Sequence, residues 1–133
     1  MTESSTLDIA RTYAEAVTAG DFATVAGLFA DDIVWHQPGH NRLSGTHRGA
    51  AAVNEVLGAT MALSEGTFAL AVTGAPMVNG AMSAMPVHFS AKRNGRELAI
   101  DGVDMLRVEG GKIAEVWLFS AVQQTEDDFW GAA

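Results

Sequence analysis

The chain has 133 residues, 48% of them hydrophobic and 18% charged, with no cysteine and a formal net charge of -8. This composition fits a single globular domain spanning residues 1–133 and excludes a disordered chain, disulfides, thiolate chemistry and cysteine-based metal centres. The acidic balance argues against nucleic-acid and anionic-membrane partners. With no signal-like N-terminus and no apolar run of about 18 residues, a cytoplasmic protein with no membrane association is expected.

The first element is a helix in "SSTLDIARTYAEAVTAG", starting at Ser5 with Asp8 three residues on. Ile9, Ala10, Tyr13, Ala14 and Val17 recur at helical spacing and define its buried face, so Tyr13 points inward. Gly20 ends this helix, and Asp21 caps a second one over "DFATVAGLFADD". "IVWHQ" reads as a short strand stopped by Pro38-Gly39, and "GAAAVNEVLGATMAL" as a third helix. From Thr67 onward "TFALAVTGAPMV", "AMSAMPVHFSAKR", "RELAIDGVDMLRVE" and "KIAEVWLFSAV" are strand-like. Asn79-Gly80, Asn94-Gly95 and Gly110-Gly111 separate them as hairpin turns. Pro86 inside one run marks an edge or a bulge, and the tail "QQTEDDFWGAA" reads as a short docked helix. The result is an α+β domain, three N-terminal helices packed on a curved antiparallel or mixed sheet.

Strand alternation sorts the polar residues by face. Ile100, Gly102, Asp104 and Leu106 share one side of their strand, and Asp101, Val103, Met105 and Arg107 the other. Trp35 and Gln37 face together while His36 faces away. Val116, Leu118 and Ser120 point in; Trp117, Phe119 and, on its own strand, His88 point out. Asp104, a carboxyl in an apolar strand, would have its charged form disfavoured and could donate a proton or hydrogen bond near neutral pH. The plainer alternatives are a core tyrosine at Tyr13 and an Asp104 that pairs with an arginine or caps a backbone group. His36 and His40 are four apart, but Pro38-Gly39 lies between them, so they do not share a helical face; no metal site is expected.

"YAEAVTAGDFATVAGLFADDIVWHQPG", "LSGTHRGAAAV" and "GKIAEVWLF" together resemble the SnoaL-like branch of the nuclear transport factor 2-like superfamily, over roughly Leu7 to Trp130. That resemblance implies a cone-shaped α+β barrel, a curved sheet closed by helices around a deep apolar pocket. Superfamily members include ketosteroid isomerases, polyketide cyclases, dehydratases, epoxide hydrolases and non-catalytic binders, so the fold alone does not name a reaction. Ketosteroid isomerases use a helix-1 tyrosine and a protonated aspartic acid as an oxyanion hole, with a second aspartate as base. By resemblance Tyr13, seven residues before Gly20-Asp21, and Asp104, opening "DMLR", match the first two, whereas the base position before the proline holds Gln37. The inward position where an epoxide hydrolase would carry a carboxylate holds Leu118.

The resemblance thus implies a cofactor-independent isomerase, cyclase or dehydratase acting on an apolar, carbonyl-bearing metabolite through enolate stabilisation. Tyr13 and Asp104 would hold the enolate oxygen, and Trp35, Gln37 and Leu118 would contact substrate. His40, or else His36 in contact with substrate, would shuttle the proton. It also implies a homodimer through the outer sheet face of Trp117, Phe119 and His88. The alternative is a non-catalytic domain that binds an apolar ligand, favoured by the missing base.

Overall fold

The computed structural model describes residues 3–132, with side chains from residue 5 onward. Helix α1 (Glu3–Ala19) starts two residues before the expected Ser5 and ends where Gly20 takes φ +72°. Ala10, Tyr13, Ala16 and Val17 form its buried face, while Ile9 and Ala14 are half-buried against the core. Asp21 caps α2 (Phe22–Gly27), its carboxylate accepting the Thr24 N–H at 3.2 Å.

The second helix is shorter than its sequence suggested. "FADD" belongs to strand β1 (Phe29–Gln37), because the chain joins the sheet as soon as the Ile113 N–H donates to the Leu28 carbonyl, at 2.7 Å. A register shift between Phe29 and Val34 absorbs Asp31 and Asp32 as exposed residues while Phe29, Ile33 and Trp35 remain buried. The histidine-bearing loop is not wholly irregular. It contains β2 (Gly45–Arg48), which pairs antiparallel with β1, His47 opposite Trp35. Helix α3 (Ala50–Leu63) follows.

The expected strand over "TFALAVTGAPMV" is two strands, β3 (Ala69–Val72) and β4 (Met77–Asn79), both pairing with β5 (Met82–Arg93). Pro86 explains the break. Its carbonyl accepts from the Thr73 N–H, so its nitrogen faces the same edge with no hydrogen to donate, and the ladder lapses there. β6 (Arg96–Glu109) and β7 (Lys112–Ser120) complete the meander. The seven-stranded sheet has the order β2-β1-β7-β6-β5-β3, with β4 alongside β5, and is curved and unclosed. β1 and β7 run parallel, so the sheet is mixed.

A fourth helix, α4 (Gln123–Trp130), docks the tail back onto the fold. The core lies between the concave sheet face and the helices. Ile33, Leu106 and Val116 are fully buried there, each worth about 1.5–3 kcal/mol of transfer free energy. None of the described helices is long and apolar enough to cross a membrane.

Candidate functional site

The concave face of the sheet and the four helices enclose a cavity with about 860 Å³ of empty space, counting its open mouth. α1 contributes Tyr13 and Val17, α2 Phe22 and Val25, and α3 Leu57, Thr60 and Met61. The sheet contributes Trp35, Gln37, Leu70, Phe89, Asp104 and Leu118, and α4 contributes Glu126 and Trp130. Phe119, 50% exposed, stands at the edge of the same cavity.

Among these apolar walls the polar groups are few. The Tyr13 hydroxyl donates to Asp104 Oδ2 at 3.0 Å, joining α1 to β6 across 91 residues of chain. Both side chains are buried, at 2% and 3% exposure. Burial pushes the Asp104 carboxyl up from 3.8 to about 7, although the Tyr13 hydrogen bond pulls the other way. The Tyr13 phenol is raised well above its ordinary value, by burial first and then by the neighbouring Asp104 charge. A group pair of this kind can donate hydrogen bonds at neutral pH to an oxygen that gains negative charge.

Register places Gln37 relative to this pair. Trp35 pairs with Val116 and His36 with Trp117, so Gln37 follows opposite Leu118, which is itself opposite Asp104 on β6. The Trp35 indole N–H donates to Gln37 Oε1 at 2.9 Å. With its oxygen so engaged, the amide nitrogen is the group Gln37 offers to a ligand. Trp35 also packs edge-on against Phe29, centroids 5.9 Å apart, which fixes the indole in the wall.

The structure does not bring the histidines to this cavity. His36 lies on the outer sheet face, stacked on Trp117 at 5.5 Å, its Nε2 2.6 Å from Glu115 Oε2. This corrects its expected substrate contact, and the cause is the strand parity that turns Trp35 and Gln37 inward. His40, expected to shuttle the proton, is exposed and absent from the cavity walls; what it contributes is its backbone N–H, 3.1 Å from Asp127 Oδ1. His47 Nε2 lies 3.0 Å from the Leu43 carbonyl. Among the described residues no three of the His, Asp and Glu side chains group as a metal site.

The loop's structural task is to hold α4. Asp127 Oδ1 accepts from the His40 N–H, Asn41 Nδ2 at 2.8 Å and Gln123 Nε2 at 3.0 Å. Burial raises the Asp127 pKa, but these hydrogen bonds outweigh it and the carboxyl lies below its ordinary value. Gly39, at φ +87°, is required here, since a Cβ would lie 2.2 Å from both Asp127 Oδ1 and Gln123 Nε2. At the far end of α4, Arg93 donates to the Phe129 carbonyl and Arg96 to the Asp128 carbonyl. Cationic groups on the last turn suit the helix C-terminus.

So held, α4 turns Glu126 into the cavity at 4% exposure. Burial raises its carboxyl pKa, the nearby Ser120 hydroxyl lowers it, and Asp127 raises it further. The Ser120 hydroxyl approaches Glu126 without completing a hydrogen bond of good geometry; Oγ is buried and without a partner. Glu126 was missed in the sequence. Its signal was helical spacing, since Glu126, Phe129 and Trp130 are one apolar face of "EDDFW".

A family model described as "SnoaL-like domain" matches residues 10–116. The chain belongs to the SnoaL-like domain family. Among its relatives, uncharacterized proteins of Mycobacterium bovis and Mycobacterium tuberculosis are 28% identical over 130 residues, covering 98% of this chain and 99% of theirs. A solved structure from Xanthomonas campestris, of unknown function with a cystatin-like fold, is 48% identical at TM-score 0.89, covering 95% of this SnoaL-like chain and 98% of that one. A protein from Mesorhizobium loti, provisionally assigned as a SnoaL-like polyketide cyclase, is 26% identical at TM-score 0.67, covering 84% and 96%.

Proposed function

We propose that this SnoaL-like protein is a cofactor-independent isomerase, cyclase or dehydratase for an apolar, carbonyl-bearing small molecule. The observation that carries this reading is the buried Tyr13–Asp104 hydrogen bond at 3.0 Å in a largely apolar cavity. An aliphatic or aromatic body would fill the walls of Val17, Leu57, Met61, Phe89 and Trp130. Its carbonyl oxygen would accept from protonated Asp104, and from the Tyr13 hydroxyl as that hydroxyl turns from Asp104 Oδ2 to the ligand, where negative charge develops as an enolate forms. The Gln37 amide nitrogen would take a second acceptor on the substrate. The Mesorhizobium loti relative's provisional assignment as a polyketide cyclase supports this class of reaction.

The test uses a phenol as the stand-in for an enolate oxygen. 2-Cyano-4-nitrophenol should bind the wild-type pocket, and Tyr13→Phe should weaken that binding about tenfold or more, in line with about 1.5–3 kcal/mol for a hydrogen bond to a charged group. Unchanged phenol affinity in Tyr13→Phe would remove the proposed oxyanion site.

A homodimer through the outer sheet face belongs to the same reading. Val103 and Phe119, paired across β6 and β7, are 37% and 50% exposed beside Trp117, and His88 lies on the same face. A second copy of the chain would cover this apolar strip. Sedimentation at one chain mass across micromolar concentrations would rule the dimer out.

A further inference from the structure

Glu126 is a buried carboxyl with no role in the oxyanion site just described. It leaves helix α4 on the same face as Phe129 and Trp130, all three buried, and it forms part of the cavity wall. A carboxyl there is costly unless ionic or hydrogen-bonding partners compensate it. The nearby Ser120 hydroxyl completes no bond of good geometry. An apolar side chain at this helical position would pack at lower cost. The carboxyl is held in place at that cost by an extensive dock: Asp127, the next residue, is fastened to His40 and Asn41, just past Gln37-Pro38. Glu126 itself lies near Ser120, at the C-terminal end of β7, and β1 runs parallel to β7 with Gln37 at the same end.

The spacing to the oxyanion site is set by the sheet. Asp104 is opposite Leu118, and Ser120 is opposite Gly102. Ser120 is thus the diagonal neighbour of Asp104 on the inner face, about 7–8 Å away for such a pair. Glu126 stands beside Ser120, across that gap from the Tyr13–Asp104 pair. A carbonyl oxygen held about 2.7–3 Å from its donors has its acidic carbon two bonds further on, within reach of a carboxylate on the far side.

We propose that Glu126 is the catalytic base of this pocket, taking a proton from the carbon next to a substrate carbonyl whose oxygen rests on Tyr13 and Asp104. This rests on the reading of the oxyanion site given above. In the step, the C–H bond breaks and its proton goes to a Glu126 oxygen. The C–H electron pair forms a C=C bond as the C=O pair moves onto oxygen. Where a C=C bond lies beyond the acidic carbon, returning the proton from Glu126 to the far carbon of the resulting dienolate shifts that C=C pair, re-forms the C=O bond and completes an isomerisation with no external oxidant, reductant or metal. The substrate class is an apolar ketone with an acidic C–H beside the carbonyl. The burial that raises the Glu126 pKa also makes its carboxylate a stronger base than an exposed one.

5-Nitrobenzisoxazole tests the base without knowledge of the natural substrate. Removal of its C3 proton forms a nitrile as the N–O bond breaks, releasing 2-cyano-4-nitrophenolate, whose oxygen would develop charge at Tyr13 and Asp104. Wild type should turn this probe over with a rate that rises as Glu126 ionises and falls near pH 7 as Asp104 loses its proton. Glu126→Gln should lose about 100-fold or more yet bind 2-cyano-4-nitrophenol at least as tightly as wild type, because a carboxylate that repels the phenolate is gone. Glu126→Asp should keep the shape of the pH profile at a reduced rate. Turnover in Glu126→Gln within twofold of wild type would overturn the assignment, as would wild-type turnover no faster than buffer. In either case retained phenol binding would leave the oxyanion site standing; loss of the phenol response in Tyr13→Phe is the separate test of that site.

Discussion

Asp104→Asn should change how stability depends on pH, and by an amount the structure fixes in sign and scale. In the folded protein burial holds the Asp104 pKa near 7, against an ordinary value of 3.8. Because the folded pKa is raised, the folded state binds the proton more tightly than the unfolded one. The stabilising protonated form is fully present below about pH 4, and its contribution is lost as pH rises towards 7. The shift of about 3 units at 1.36 kcal/mol each gives a loss of roughly 4 kcal/mol between these limits, and a plateau above about pH 8. Asparagine keeps the shape and a hydrogen-bonding oxygen for the Tyr13 hydroxyl but does not titrate.

The assay is urea unfolding of both proteins at closely spaced pH values from 4 to 8.5. Other groups, Glu126 among them, titrate in both proteins, so the quantity of interest is the difference between the two curves. Asp104→Asn should gain on wild type as pH rises, approaching about 4 kcal/mol at pH 8, with most of the gain between pH 4 and 7. A difference that stays flat with pH would mean that Asp104 ionises normally in the fold. It would then be an anion at neutral pH and could not donate to an enolate oxygen.

Two structural predictions test how the cavity is built. Gly102→Ala places a Cβ 2.2 Å from the Phe119 carbonyl oxygen, in backbone that cannot step aside without parting β6 from β7. It should cost about 1–3 kcal/mol in urea or thermal unfolding; a neutral result would contradict the close approach. Asp127→Ala removes the acceptor shared by His40, Asn41 and Gln123, and leaves buried Asn41 without that partner. A loss of about 1–3 kcal/mol is expected, with faster hydrogen exchange at the α4 amides than in β6. Equal exchange in the two elements would show that α4 is not held by this contact.

Sequence periodicity carried most of the fold. The alternation in "AIDGVDMLRV" puts Ile100, Asp104 and Leu106 inside, and they are buried in the structure. Glycine turns bounded β5, β6 and β7 because positive φ at Gly95 and Gly110 follows from local sterics. What periodicity could not supply was set by tertiary contacts. "FADD" has helical neighbours on its N-terminal side, and only pairing with β7 makes it a strand. The split of β3 from β4 depends on a proline in another strand.

The site shows the same division. Tyr13 and Asp104 were legible because each carries its own periodic face, one helical and one extended, and both faces lead to one core. Alternation already turned His36 outward, and the structure places it there against Trp117; His40 lies beyond the strand end, where no periodicity fixes its direction, and it is exposed. Glu126 escaped because it stands in "QQTEDDFW", where five of eight residues are acidic or amide-bearing, all within the first six positions, and a solvated face is the natural reading. Only the docking of α4 by Asp127, Arg93 and Arg96 decides which of its carboxylates turns inward. The absence of a carboxylate at Gln37 and the presence of a buried one at Glu126 are then two halves of one observation. The cavity keeps an acid at the end of β1, supplied by the C-terminal helix instead of by the strand.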